Sequence, residues 1–144
     1  MIRVIKVKNN NDLERAYKIR KQVFVEEQMV PLEDELDAYE EVSEHFLALD
    51  NEDEACGAAR WRFTEEGVKL ERFAVLNSHR AKGVGTALVE AVLKDIKTNP
   101  NTKGSKYYLH AQMDAVPLYR KFGFETVGPE FVECGITHKK MIKL

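Results

Sequence analysis

Seven residues, Arg80-Ala81-Lys82-Gly83-Val84-Gly85-Thr86, sit at the junction from which the fold of this chain can be read. Upstream, Leu70-Glu71-Arg72-Phe73-Ala74-Val75 reads as a strand; downstream, Val84, Ala87, Leu88, Ala91 and Leu93 recur at helical spacing from Gly83 to about Ile96, where Asn99-Pro100-Asn101 stops the helix. Two glycines therefore fall where a loop turns into an amphipathic helix. The first N–H groups of a helix have no partner within it, and the positive end of the helix dipole lies beside them. Glycine lets an anion approach the backbone closely, Arg80 and Lys82 add charge, and Thr86 offers a hydroxyl, so the stretch reads as a phosphate-binding loop.

Two rival phosphate motifs fail on the letters. A dinucleotide fingerprint needs a third Gly or Ala three residues after Gly85, where Leu88 stands, and it needs to follow its strand directly. A nucleoside triphosphate loop needs Gly-Lys-Ser/Thr after four spacer residues, and no such string occurs.

Outward from this centre the chain reads as a mixed α/β or α+β layer structure. Ile2 to Val7 alternates as a strand, Asn10-Asn11-Asp12 starts a helix carrying Leu13, Ala16, Tyr17, Val23 and Phe24, and Pro31 limits that helix. His45 to Asp50, Ala55 to Thr64 and Val68 to Leu76 form an antiparallel meander across Asn51-Glu52-Asp53-Glu54 and Glu65-Glu66-Gly67. Ser105 to Ala111 is strand-like, a short helix spans Ala115 to Lys121, and the strand pair Glu125 to Val127 and Ile136 to Leu144 closes the chain. Trp61 and its neighbours pack a core face. The acidic run Glu33, Asp34, Glu35, Asp37, Glu40, Glu41, Glu44 reads as a solvated face that also attracts cations.

At 144 residues, with no linker or repeat, residues 1–144 are expected to form a single domain. No apolar run reaches the roughly 20 residues of a membrane span, and Met1-Ile2-Arg3-Val4-Ile5-Lys6 lacks the unbroken apolar stretch of a secretory signal, so a cytoplasmic protein without membrane partners is expected. Cys56 and Cys134 read as buried small hydrophobes, with no spacing suited to a metal. A net charge of -2 argues against nucleic acid as a partner. The charge is uneven: residues 1–50 hold 7 Lys and Arg against 12 Asp and Glu, and the remainder 15 against 12. If the fold divides along that line, one part suits an anionic ligand and the other a cationic one.

The string Arg80-x-x-Gly83-x-Gly85 resembles the coenzyme A loop of the GCN5-related N-acetyltransferase (GNAT) superfamily. Gln112 to Phe124, QMDAVPLYRKFGF, looks like that family's N-x-x-A-x-x-L-Y-x-x-x-G-F, with Gln112 where asparagine is usual. Arg20 to Gln28 and Gly135 to Met141 further resemble its small bacterial ElaA/YjcF-like branch. The resemblance implies a mixed α+β fold, a largely antiparallel sheet of about six to seven strands flanked by about four helices. It implies direct transfer of an acetyl group from acetyl-CoA to a primary amine, without a covalent enzyme intermediate or a metal, and a possible homodimer.

The resemblance also distributes roles. Arg80, Ala81, Lys82, Gly83, Val84, Gly85 and Thr86 hold the pyrophosphate, while Phe73, Ala74 and Val75 pair with the pantetheine arm, Gln112 contacts it, and an N–H near Ala74 or Val75 polarises the thioester carbonyl. Tyr119, with a phenol pKa near 10, is the acid for the leaving thiolate and also a coenzyme A contact. Base candidates are Glu71, which by two-residue alternation shares a face with Phe73 and Val75, and the histidines His45, His110 and His138, of which the resemblance favours His138. The acceptor is expected to be a small-molecule amine; a catalytically weak coenzyme A sensor and a protein lysine acetyltransferase are the alternatives.

Overall fold

The computed structural model describes all residues, 1–144. Strand β1 (Arg3–Lys6) leads to helix α1 (Asn10–Arg20), capped by the Asn9 side chain, which accepts from the Asp12 N–H at 2.8 Å. The helix runs on without a break into a π-helical segment, Lys21–Glu27, and the chain leaves it through Met29 in the left-handed region (φ 64). One turn of helix, α2 (Leu32–Glu35), precedes the meander β2 (Glu44–Leu49), β3 (Ala55–Phe63) and β4 (Val68–Val75). Helix α3 (Val84–Thr98) then crosses to β5 (Tyr107–Gln112), and the short α4 (Val116–Arg120) precedes the hairpin β6 (Glu125–Glu133) and β7 (Ile136–Lys143).

The seven strands form one sheet in the order β1-β2-β3-β4-β5-β7-β6, and every pair is antiparallel except β4 with β5. The expected sheet and four helices are thus present. One boundary differs: β6 runs to Glu133, not Val127, because Gly128-Pro129 forms a bulge rather than a turn, with Gly128 at φ 73 and the register shifting between Val127 and Phe131. No helix is long and apolar enough to cross a membrane.

The helices sandwich the sheet. On one face α3 buries Val84, Leu88, Val89, Val92 and Ile96 against Phe46, Ala59, Trp61, Leu70, Leu109 and Met141; on the other, α1 buries Ala16 and Ile19 against Leu47, Leu49, Ala58 and Ala74. A Cβ on Gly57 would stand 2.8 Å from Val84 Cγ1 and 3.0 Å from Leu88 Cδ1, so glycine lets α3 lie close on β3. Cys56 is buried as expected. Cys134 is exposed, because it occupies the tip of the β6–β7 turn at φ 52.

The acidic run does not form a solvated face. Only part of it, Glu33 and Glu41 among others, faces water, whereas Glu35 is 3% exposed and Asp37 and Glu40 are paired. Two buried guanidiniums account for this. Arg20 binds Glu35 (2.7 and 3.0 Å) and Glu40 (2.8 and 2.7 Å), and Arg60 binds Asp37 (3.0 and 2.8 Å), Glu40 (2.9 Å) and Glu71. A buried charge costs several kcal/mol unless it is paired, so the arginines draw the acidic segment onto the sheet. The imbalance along the sequence is therefore largely cancelled inside the fold rather than displayed.

Burial works against the ionised forms of Asp37 and Glu40, but hydrogen bonds from Arg60 and Arg20 and the nearby positive charges outweigh it, bringing both to about 2 from 3.8 and 4.5. Carboxylates depressed in the folded state stabilise it fully above their unfolded pKa and lose that contribution as pH falls through the folded one. Urea unfolding midpoints should therefore hold down to about pH 4.5 and then decline continuously toward pH 2. A flat midpoint from pH 4.5 to 2.5 would contradict the pairing.

Candidate active site

Strands β4 and β5 are neighbours over only three positions, Val68↔Tyr107 to Leu70↔Leu109. Beyond Leu70 they part. β5 continues beside β7 (His110↔Lys140, Gln112↔His138), and β4 continues beside β3 (Ala58↔Ala74, Gly57↔Val75). Between them opens a cleft of about 150 Å³, walled by Phe24 of the π-helical segment and Gln28 just beyond it, Asp34 and Glu35, Glu71 to Phe73, His110 and Gln112, Tyr119, and the β6–β7 tip.

The parting coincides with a bulge in β4. Arg72 is left-handed (φ 59), and between Ala58↔Ala74 and Arg60↔Glu71 β4 holds one residue more than β3. The bulge corrects the expected alternation. Phe73 and Val75 pack with Leu70 on the α3 face while Ala74 joins the α1 face, so Glu71, beside Arg60, faces away from Phe73 and Val75. Its carboxylate also accepts from Arg62 Nε at 2.7 Å and lies 3.3 Å from Lys69 Nζ. Burial favours its neutral form, yet these cations hold its pKa below the ordinary value, which makes it a poor proton acceptor.

At the α3 end, left-handed Ala81 (φ 62) and Gly83 (φ 85) bring the chain into the helix. The first backbone bond there is Ala87 N–H to Gly83 O at 3.0 Å, and the N–H groups from Ala81 to Thr86 donate to no backbone carbonyl outside regular structure. A Cβ on Gly83 would meet nothing within 4 Å, so the space before these donors is open; at Gly85 it would stand 3.2 Å from Leu118 Cδ2 of α4. Lys82 is exposed beside them. Arg80, in contrast, has its guanidinium in contact with Glu27 (2.5 and 2.7 Å) and with the Val75 carbonyl (3.1 and 3.0 Å). The next residue, Gln28, is hydrogen-bonded to Gln112 at 2.8 Å, so consecutive residues at the C-terminal end of the π-helical segment tie both banks of the cleft. Those two links were not legible: no spacing rule connects Glu27 with Arg80 or Gln28 with Gln112.

Tyr119 enters the cleft from α4, 6% exposed, edge-on to Phe73 (ring centroids 5.7 Å) and Phe124 (6.2 Å). The expectation of a phenol near 10 is corrected. Burial, and after it the charge of Asp114, pushes the pKa well up, so the hydroxyl stays protonated throughout the neutral range and acts as a donor. His138 is 7% exposed and its Nδ1 lies 2.7 Å from Ile136 O; since a carbonyl can only accept, Nδ1 carries the hydrogen. His110 Nδ1 lies 3.2 Å from Glu133 Oε2. His45 is outside the cleft, with Nε2 2.8 Å from Glu40 O, and burial lowers its pKa. No cluster of His, Cys, Asp or Glu is arranged to hold a metal ion.

Parallel strands that part around a cleft, with free amides of a helix N-terminus beside it, suit a ligand that has an anionic group and an extended arm. Residues 6–144 match the acetyltransferase (GNAT) domain, and the chain belongs to that family. It is 40% identical over 143 residues, 99% of each chain, to the uncharacterized N-acetyltransferase YjcF of Bacillus subtilis (strain 168). The crystal structure of Escherichia coli ElaA is similar over the whole of both chains, with a TM-score of 0.80 and 27% identity. A GNAT family acetyltransferase from Elizabethkingia anophelis, solved with acetyl-CoA bound, shares the fold at a TM-score of 0.68 and 18% identity over 98% of this chain and 94% of that one.

The left-handed N-cap makes the loop testable. Gly83→Val introduces a side chain into the open space and into a conformation costing L-residues about 1–2 kcal/mol. Gly104→Val imposes the same strain (φ 83, nothing within 4 Å) away from the cleft. Calorimetry should find acetyl-CoA affinity reduced at least about tenfold in the first variant and unchanged in the second, where the backbone penalty is the same. Equal affinities would remove the loop from the site.

Proposed function

We propose that the chain transfers an acetyl group from acetyl-CoA to the primary amine of a small cationic molecule. The observation that carries this reading is the cleft opened by the parting of β4 and β5, with free backbone donors toward α3 and titratable side chains toward the β6–β7 tip. The residues fit the cosubstrate: the Ala81 to Thr86 amides and Lys82 suit a pyrophosphate, and the β4 edge from Glu71 to Val75, without a strand on its β5 side, suits an extended pantetheine arm. When bound, acetyl-CoA supplies an activated acyl carbon and a thiol leaving group.

The chain's own residues then have distinct tasks. A main-chain N–H of the bulged β4 segment, near Ala74 or Val75, points a dipole at the carbonyl oxygen as it becomes an oxyanion. Tyr119 donates its phenolic hydrogen toward the departing sulfur. Gln112, linked to Gln28, borders the arm. On the acceptor side, Glu35 and Glu71 are neutralised from behind by Arg20, Arg60 and Arg62, whereas Asp34 and Glu133 keep negative charge in the wall and favour a cation.

A panel of spermidine, cadaverine, L-lysine, tyramine and glucosamine, compared with lysine-containing peptides at equal amine concentration and followed by thiol release, tests the reading. Saturable transfer to one or more of the small amines is expected. Selective transfer to a single peptide would make the chain a protein lysine acetyltransferase, and tight acetyl-CoA binding with no transfer would make it a sensor. With the best acceptor, Tyr119→Phe keeps the aromatic packing and removes only the donor. Turnover should fall on the order of 10²-fold while coenzyme A affinity stays within about twofold. Unchanged turnover across the pH range would leave Tyr119 as core.

A further inference from the structure

An amine reaches the cleft as an ammonium and must lose a proton before its nitrogen can attack. The groups assigned so far give that proton no destination: Glu71 is saturated by cations, and Tyr119 is a donor on the α3 face. We propose that His110 takes it, with Glu133 as the positioning residue that sets the imidazole's tautomer. The proposal rests on the acetyl-transfer reading above.

Position is the first argument. Leu109 is the last residue of β5 paired with β4, so His110 is the first beyond the fork. Leu109 is buried under α3, and alternation along β5 therefore turns His110 to the opposite face, the one on which Glu71 meets Arg60. Geometry is the second. Nδ1 lies 3.2 Å from Glu133 Oε2, and Phe131 stands edge-on at 5.0 Å, fixing the ring plane. The hydrogen bond from His110 outweighs burial and keeps the Glu133 pKa below normal, so that carboxylate is ionised and can only accept. Nδ1 therefore carries the hydrogen in the neutral ring, and Nε2 has the lone pair.

His138, on the far side of Phe131 and stacked on it at 5.8 Å, also has Nδ1 occupied, but by the neutral Ile136 carbonyl. An imidazolium formed at His110 has the Glu133 carboxylate within hydrogen-bond reach of Nδ1; at His138 that nitrogen faces the Ile136 carbonyl, and the Glu133 charge acts without a hydrogen bond. The other charged or titratable groups around His110 are Lys69 and Glu71 of β4, which pair with each other while Lys69 also favours the ionised Glu133, the neighbouring Tyr108 of β5, and the cross-strand Lys140 of β7, which pairs with Glu66. The proton balance closes. Of the two protons the nitrogen sheds on becoming an amide, His110 passes one to solvent; the other ends on the sulfur by way of the Tyr119 hydroxyl as the C–S bond breaks and the C–N bond forms.

The test uses full-length protein and the best acceptor among spermidine, cadaverine, L-lysine, tyramine and glucosamine. His110→Gln should lower kcat/KM at neutral pH on the order of 10²-fold and erase the acidic limb of the wild-type pH profile, leaving a rate that simply tracks deprotonation of the amine. Acetyl-CoA affinity should be unchanged. Glu133→Gln should keep a limb but displace it. Ring ¹⁵N shifts, which need no acceptor, should show the Nδ1–H tautomer of His110 in the wild type and a mixture in Glu133→Gln. A wild-type profile in His110→Gln, loss of the limb in His138→Gln instead, or an Nε2–H tautomer in the wild type overturns this assignment alone. A wild type that binds acetyl-CoA but acetylates no amine of the panel overturns the transfer reading, and this one with it.

Discussion

The Arg60 guanidinium has no access to water, and much of the acceptor side follows from that. Such a charge is tolerated only when carboxylates take up its hydrogen bonds, and here they come from three places in the sequence: Asp37, Glu40 and Glu71. Arg20 makes a similar demand on Glu35 and Glu40. The segment between the π-helical residues and β2, which has only the one turn α2 of its own, is thereby held on the sheet, and Glu71 is fixed beside the fork. The same pairing silences these carboxylates as proton acceptors, so an acid-rich cleft wall is chemically quieter than its composition suggests.

The two ends of the cleft are built from different materials. Toward α3 the donors are main-chain amides, whose placement depends on backbone conformation at Ala81 and Gly83 and tolerates many side chains. Toward the β6–β7 tip the cleft is lined by titratable side chains, Glu133, His110 and His138, carried on strands whose register fixes their spacing. A fold organised this way can change its acceptor by substitution at one end without disturbing how it holds the donor at the other.

Much of this was legible in the sequence, and the reasons for the exceptions are local. The strands and α3 could be placed because apolar periodicity and turn residues agree there, and the start of α3 because its two glycines mark the passage from loop to helix. The bulge at Arg72 could not be read, since it puts a non-glycine residue at positive φ in mid-strand, and a single such residue reverses the facing of Glu71 relative to Phe73. The strand after α4 reads as ending at Val127, ahead of Gly128-Pro129, because glycine and proline commonly interrupt a strand, whereas here they form a bulge within it. The acidic run looked solvated because nothing local reveals that Arg20 and Arg60 are buried. Glu133 escaped notice for the opposite reason, being one glutamate among many until β6 sets it beside His110.

A sheet that divides in its middle has more bare backbone than one that does not, and bare strand edges invite other chains to pair with them. Here the outer edges are poor templates: β1 is four residues long with Arg3 and Lys6 on it, and β6 is interrupted by its bulge and by Pro129, which has no N–H to give. The inner edge, β4 beyond Leu70, is different. It lines a cleft whose banks are bridged by Gln28 and Gln112, and that bridge stands in the way of a neighbouring polypeptide pairing there as a strand. The one adhesive edge of the sheet is thus kept inside the molecule, where the same bridge that closes the cleft also guards against aggregation.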